Sequence, residues 1–144
     1  MASVGERLFT GARGYLYCRG KQIAHFTGAS GTRRFETAQY KPCGSDRTAA
    51  TVLMGQDIDF TIDRVGFEDE DAYTLALMPG GEEGDLIDWT EMKAVIIDRK
   101  TDKPWREIDG LMPASEGFNF QARSLCQENL SFTGRIWKHG GEIK

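Results

Sequence analysis

The sequence predicts a mainly β fold, an antiparallel β-barrel or sandwich with one short flanking α-helix. Glycine occupies 17 of the 144 positions, against a usual share of about 7%, and four prolines add further turn signals. Between these residues the chain forms short stretches in which apolar and polar side chains alternate, as they do in strands with one solvated face. A length of 144 residues fits a single domain.

The first predicted element is a β-hairpin with strands at residues 15–18 and 22–26. Gly20 lies between them and can adopt the positive φ that a tight turn requires. Residues 27–48 are then polar, basic and rich in glycine, with Phe35 and Tyr40 as their only large apolar side chains. This segment is predicted to be a long polar loop or an extended hairpin, and long loops in compact domains are usually functional or disordered.

The clearest alternation in the chain covers residues 57–65. Side chains at successive strand positions point to opposite faces, so one set is predicted to face a core and the other to face water. The core set is Ile58, Phe60, Ile62 and, after a slip at Arg64, Val65. The wet set is Asp57, Asp59, Thr61 and Asp63.

Residues 68–78 are predicted to form the single short helix. Four acidic residues lead the segment, where a helix N-terminus favours negative charge, and Tyr73, Ala76 and Leu77 have helical spacing. Pro79 and the glycines after it end the helix. A strand that uses Tyr73, Leu75 and Leu77 is the competing interpretation.

Further strands are predicted at residues 92–98, 105–111, 117–123 and 130–137, with a turn at residues 99–102. In the strand at 117–123, Phe118, Phe120 and Ala122 are predicted to face inward. The whole chain, residues 1–144, is predicted to be one domain. It has an N-terminal arm at residues 1–12 and a polar C-terminal tail at residues 138–144.

The net charge of −4 is unevenly distributed along the chain. Residues 1–56 carry eight basic and three acidic side chains, and residues 57–91 carry one basic and twelve acidic side chains. Residues 92–144 carry nine basic and seven acidic side chains. An acidic chain is not typical of a nucleic-acid-binding domain. The distribution favours a subunit whose basic first third meets the acidic middle of another copy.

No pattern in the chain predicts a catalytic, cofactor or metal site. His25 and His139 are isolated, and Cys18, Cys43 and Cys126 lack the spacing of zinc ligands or of a disulfide framework. Asp57, Asp59 and Asp63 are interpreted as a polar strand face rather than an acid–base pair.

No apolar run approaches the roughly 20 residues that span a bilayer, and the N-terminus lacks the apolar core of a signal peptide. We therefore expect cytoplasmic synthesis and no membrane anchor.

A basic cluster in residues 27–48 has two interpretations. Its members are Arg33, Arg34, Lys41 and Arg47, with Phe35 and Tyr40 between them. Aromatic and basic side chains in this arrangement can stack on nucleic-acid bases. They can equally contact the acidic block of a neighbouring copy, which is the interpretation we favour.

The order of these features resembles the tail-tube proteins of tailed phages, particularly those of contractile tails and phage-like particles. The resemblance rests on the hairpin that begins Gly14-Tyr15-Leu16, the long polar segment, the alternating strand at 57–65 and the helix that ends in glycine. It also rests on the closing motifs Phe118-Asn119-Phe120 and Leu130-Ser131-Phe132-Thr133-Gly134. It covers residues 14–137. These proteins share their fold with the tube protein of type VI secretion.

The resemblance implies a structural virion protein, with no enzymatic activity and no cofactor, that forms stacked hexameric rings around a hollow tube for DNA delivery. Its partners would be further copies of itself and the sheath, baseplate and tail-terminator proteins of the same particle. Residues 27–48, with the basic and aromatic cluster, would contact the next ring. The acidic face of Asp57, Asp59 and Asp63 would line a lumen through which DNA passes without specific binding. The alternative is a β-barrel binding module that does not polymerise, or another tail or baseplate component.

Overall fold

The computed structural model describes residues 3–23, 26–66, 73, 75–82, 84, 86 and 89–143. The described part is mainly antiparallel β, as predicted. A one-turn helix, α1 (Val4–Arg7), is capped by Ser3, whose hydroxyl accepts from the Glu6 amide. Two short 3-10 helices lie at Gly11–Arg13 and Gly140–Glu142. The eight strands are β1 (Gly14–Cys18), β2 (Lys21–Gln22), β3 (Phe26–Tyr40), β4 (Ala50–Val65), β5 (Met92–Asp98), β6 (Pro104–Asn119), β7 (Gln127–Gly134) and β8 (Ile136–His139).

The strands form one sheet that folds over on itself. Its order is β2-β1-β5-β6-β7-β4-β3, and β8 pairs with β6. The long strand β6 belongs to both halves, because residues 104–111 pair with β5 and β8 whereas residues 112–119 pair with β7. Near the boundary of these two halves, Gly110 has a φ of +70° and is skipped by the register with β5. This bulge bends the strand.

We call the half made of β2, β1, β5, the start of β6 and β8 the first layer. The second layer consists of β3, β4, β7 and residues 112–119 of β6. The layers face each other, since a Cβ built on Gly31 of β3 would lie 3.1 Å from the Trp137 ring of β8. Among the described residues, the core between and around the layers buries fourteen apolar side chains: Leu16, Cys18, Ile23, Ile58, Phe60, Ile62, Leu77, Met78, Met92, Ala94, Ile108, Leu111, Leu130 and Phe132.

The first predicted hairpin is confirmed in position, although its second strand is shorter than predicted. Arg19 and Gly20 form the two-residue turn with φ values of +53° and +75°, the backbone that such hairpins favour. The second strand ends at Gln22, and residues 24–25 lie outside the described part. Strand β5 is confirmed at both of its predicted ends.

The polar segment at residues 27–48 is the extended hairpin rather than the long loop. Residues up to Tyr40 belong to β3, which pairs with β4 from Arg64 back to Ala50. Only residues 41–49 connect the two strands. Strand β4 therefore begins seven residues before the alternation that predicted it.

The predicted slip at Arg64 is wrong. Alternation continues through this residue, so Arg64 faces the core with Ile58, Phe60 and Ile62 and is completely buried, whereas Val65 is half-buried. The interior tolerates the charge because the Arg64 Nη1 lies 3.4 Å from the Glu128 Oε2 on the neighbouring strand β7. A buried charge needs such a partner.

Two predicted strands, at residues 105–111 and 117–123, are one strand interrupted by bulges. Pro113 is accommodated because the register with β7 shifts between Pro113 and Ser115. Strand β6 ends at Asn119, and residues 122–124 form a turn and bend. Phe118 and Phe120, predicted to face inward, are 82% and 73% exposed, and Ala122 is also exposed.

The predicted helix at residues 68–78 lies mostly outside the described residues. Its described members, Tyr73 and residues 75–78, form turns and bends, and Ala76 has a φ of +58° that no α-helix contains. Of the described residues that follow, Gly84 and Leu86 have helical backbone.

The predicted C-terminal tail differs from the structure at its start. Lys138 and His139 of the predicted tail belong to β8, which Arg135 separates from β7. The predicted N-terminal arm packs on the domain, where the Phe9 ring stacks on the Trp105 ring at 4.5 Å between centroids.

Candidate assembly surfaces

The far half of the β3–β4 hairpin extends beyond the core. From Arg34 to Tyr40 on β3, and from Ala50 to Asp57 on β4, every residue is exposed. Backbone pairing continues over this length, so the hairpin is ordered by its own ladder and not by packing on the domain. A projecting ribbon of this kind presents both of its faces to whatever lies next to it.

The six residues predicted to contact another ring lie along this hairpin but do not form one patch. Arg33 and Phe35 share the core-side face, where the guanidinium lies 4.7 Å from the Phe35 ring centroid and the Arg33 Nε donates to the Gln56 Oε1 at 2.7 Å. Arg34 is on the opposite face. Tyr40 ends β3, and Lys41 and Arg47 lie in the connection.

Sequence reasoning missed an apolar contribution to the same hairpin. Val52, Leu53 and Met54 on β4 are 53%, 66% and 67% exposed. Leu53 pairs with Thr37 and Val52 with Ala38, so consecutive apolar side chains lie on both faces of the ribbon. Exposed apolar groups clustered in this way indicate an interaction surface.

The outward face of the second layer is mostly small and polar. Asp59 lies between Thr32 and Thr133, and Asp63 lies between Gly28 and Asn129 on the neighbouring strands. The same face carries these further residues on the four strands: Ser30 of β3, Thr61 of β4, Ser131 of β7, and Ser115, Gly117 and Asn119 of β6. Met112 at one end is an apolar exception.

The structure thus brings Asp57, Asp59 and Asp63 together on one face, as predicted, but it adds a cation to them. The Arg34 Nη2 donates to the Asp59 Oδ2 at 2.6 Å, and Arg34 is the register partner of Asp57. Both side chains of the ion pair are largely exposed, so it contributes little to stability. The face is therefore acidic with one internal counter-charge.

The second layer ends in two strand edges that the described residues leave uncovered. Strand β3 is the last in the sheet order and pairs with β4 alone. Residues 112–119 of β6 pair with β7 on one side, while β5 and β8 pair with the other half of that strand. Uncovered edges carry backbone N–H and C=O groups that can pair with another strand.

The histidine and cysteine side chains singled out in the sequence do not form a cluster among the described residues. Burial raises the pKa of the Cys18 thiol to about 12, so it stays protonated and unreactive at neutral pH. His139 lies 3.8 Å from Glu142 at the surface, and His25 is outside the described residues. Among the described residues no group of His, Cys, Asp and Glu could hold a metal ion, and no helix is long and apolar enough to cross a bilayer.

Comparison with known protein families gives a match over most of the chain. Residues 5–134 match the sequence profile of the family described as Phi812 tail tube protein. A protein of Enterococcus phage phiEF24C named virion protein 5 is 28% identical over 134 residues, covering 92% of this chain and 94% of the phage protein.

Solved structures with a similar fold come from a contractile injection system and from a gene transfer agent. A chain of the sheath–tube complex of the extracellular contractile injection system PVC, in the extended state, superposes with a TM-score of 0.68 and 12% identity, covering 96% of this chain and 99% of that one. A chain from the tail of an empty gene transfer agent particle, refined with C6 symmetry, gives a TM-score of 0.58 and 16% identity over 96% of this chain and 98% of that one. At these identities the similarity shows a shared fold.

Proposed function

Because the chain belongs to the Phi812 tail tube protein family, we propose that it is a structural virion protein whose copies form hexameric rings, and that these rings stack into the hollow tail tube through which phage DNA is delivered. The proposal assigns it no enzymatic activity and no cofactor. It is synthesised in the cytoplasm of the host bacterium and functions in the virion tail.

The two uncovered edges of the second layer carry this proposal. All three strand pairings within the layer are antiparallel, so β3 and residues 112–119 of β6 run in opposite directions. The β6 edge of one copy can therefore add to the β3 edge of the next as an ordinary antiparallel neighbour. Repetition of this contact around an axis closes a ring, and closure leaves no edge of the second layer exposed.

The polar outward face gives the ring a direction of curvature. If the second layers of all copies form one closed barrel, the first layers lie outside it and the face of Asp57, Asp59 and Asp63 lines the lumen. Within the described residues of these four strands, the face is acidic and Arg34 is its one basic side chain. Such a wall offers phosphates few cations to bind, so DNA passes without specific contacts.

The projecting hairpin supplies contacts along the tube axis. Its strands run with those of the second layer, so its exposed half extends past the edge of a ring toward the next one. Phe35, Tyr40 and the apolar residues Val52, Leu53 and Met54 are available for burial there. Arg33, Lys41 and Arg47 complete the contact.

The remaining partners are the sheath, baseplate and tail-terminator proteins of the same particle. The sheath–tube complex of the injection system supports the first of these, since a chain with this fold is part of that complex. The C6 symmetry of the gene transfer agent tail supports six copies in a ring. Because the first of these structures comes from a contractile injection system, we propose that the tail is contractile.

Concentration-dependent assembly tests the function. Purified protein, examined by negative-stain electron microscopy over a range of concentrations, is expected to give rings and short tubes with a central hole. Analytical ultracentrifugation on the same samples measures the fraction assembled. A protein that stays monomeric at every concentration would contradict the proposal and favour a binding module that does not polymerise.

A further inference from the structure

An apolar groove runs beside the β3 edge on the core side of the second layer. Two contiguous cavities of about 590 and 380 Å³ share Ala29, Ile96 and Trp105 in their walls. One wall is the stacked pair of Phe9 and Trp105, and Phe26 lines one end. The groove is therefore open, largely apolar and located where a neighbouring strand would add.

Small residues on β3 keep this groove open. The side chain of Ala29, which points to the core side because its register partner is the buried Ile62, ends at a methyl group and is exposed. Gly31, which lies on the same side because its register partner is the buried Phe60, has no side chain and lines the second cavity. Because β3 contributes no large side chain here, the space between this strand and the first layer stays open.

The opposite edge of the layer carries an exposed aromatic side chain on the same side of the sheet. Phe118 is the register partner of Glu128, which in turn pairs with the buried Arg64. Side chains directly opposite each other share a face, so Phe118 points to the core side. It is nevertheless 82% exposed, because the first layer does not reach that corner.

The ladder places the aromatic ring and the groove at the same level. Arg64 pairs with Phe26 on its other side, so Phe118, Glu128, Arg64 and Phe26 form one row across the four strands. When a second copy adds its β3 edge to this β6 edge without stagger, its own Phe26 lies next to Phe118. Closing a barrel requires some stagger between strands. The groove accommodates this, because it extends along β3 from Phe26 to Gly31.

We infer that Phe118 inserts into the groove of the adjacent copy, between its β3 edge and the ring of its Trp105. This inference rests on the proposed function, because it requires the two edges to meet. The contact buries an aromatic ring and the groove walls together, and it makes the lateral contact specific on the core side. Backbone pairing alone would not provide that specificity.

The test compares assembly of Phe118→Ser with that of a matched control. Leu86→Ser removes another exposed apolar side chain, 62% exposed and outside the groove. Removing a buried aromatic contact is expected to raise the concentration at half-assembly about tenfold or more for Phe118→Ser. Leu86→Ser is expected to assemble like the parent protein. Equal urea midpoints of the subunits would show that both variants fold.

A second pair of variants examines the groove itself. Ala29→Gln fills it, whereas Ser30→Gln places the same side chain on the opposite face of the same edge. The first is expected to weaken assembly about tenfold and the second by less than about twofold. If the parent assembles and the Phe118 and Ala29 variants match their controls, the inference is wrong and the proposed function stands. If the parent does not assemble, both are wrong.

Discussion

At the scale of single residues, a close approach of the two layers depends on a glycine in β7. A Cβ built on Gly134 would lie 2.8 Å from the Ile108 Cγ2 and 3.1 Å from the Ile58 Cγ2. These atoms belong to buried side chains of both layers, so none of them is free to move aside. The missing side chain at this position is therefore required for the layers to pack.

Gly134→Ala is expected to destabilise the subunit by about 1–3 kcal/mol, because the added methyl group overpacks the core. Gly117→Ala is the matched control, since a Cβ at that strand position meets nothing within 4 Å. It should change the free energy of unfolding by less than about 0.5 kcal/mol. Urea denaturation of dilute, unassembled protein measures both. Equal effects of the two variants would show that the contact at Gly134 relaxes freely.

Individual residues also show why sequence periodicity has limits. Alternation predicts Ile58, Phe60 and Ile62 in the core correctly. The slip predicted at Arg64 leaves this charged residue out of the core set, because its partner Glu128 is 64 residues away. Phe118 has the face that alternation predicted. Its exposure was not predictable, because periodicity identifies a face and not what covers it.

At the scale of elements, the β3–β4 hairpin has a paired part and an unpaired connection, and the proposed assembly would protect them differently. Arg33 and Arg34 lie inside the paired ladder, whereas Arg47 lies in the nine-residue connection. Strand pairing protects backbone from proteolysis, and exposed connections are the usual cleavage sites. The ladder is expected to persist in the free subunit, while the connection is covered only when another ring contacts it.

Trypsin is therefore expected to cut free subunits after Arg47 and not after Arg33 or Arg34. Lys41 is also in the connection, but Pro42 follows it and blocks cleavage. In assembled tubes the cut after Arg47 should be strongly slowed, while Lys100 in the turn between β5 and β6 is cut in both states and serves as the internal control. Mass spectrometry identifies the fragments. A cut after Arg47 at the same rate in tubes would contradict the inter-ring role of the hairpin.

The far half of this hairpin could not be located from sequence. Residues 50–56 contain three consecutive apolar side chains followed by Gly55, and neither feature has the two-residue period of a strand with one wet face. The ribbon exposes both faces, so no such period was required of it. The β5 strand and the turn at Gly20 had local signals and were predicted from them.

At the scale of the whole molecule, the two layers of the domain have different surfaces. A ring of the proposed kind would use the polar face and both strand edges. One layer carries a polar face and two uncovered edges, and the other layer backs it with the core between them. An aromatic side chain lies at one edge and an apolar groove at the other. The charge blocks of the sequence suggested self-association, but only the register identified the edges through which we propose that it occurs.

Cryo-electron microscopy of the assembled protein, at a resolution that separates strands, would show which strand edges meet between subunits. We expect six subunits per ring, with residues 112–119 of β6 hydrogen-bonded antiparallel to β3 of the next subunit. We expect Asp57, Asp59 and Asp63 to face the lumen. A ring closed through the first layer, with the β3 and β6 edges exposed to solvent, would contradict the account.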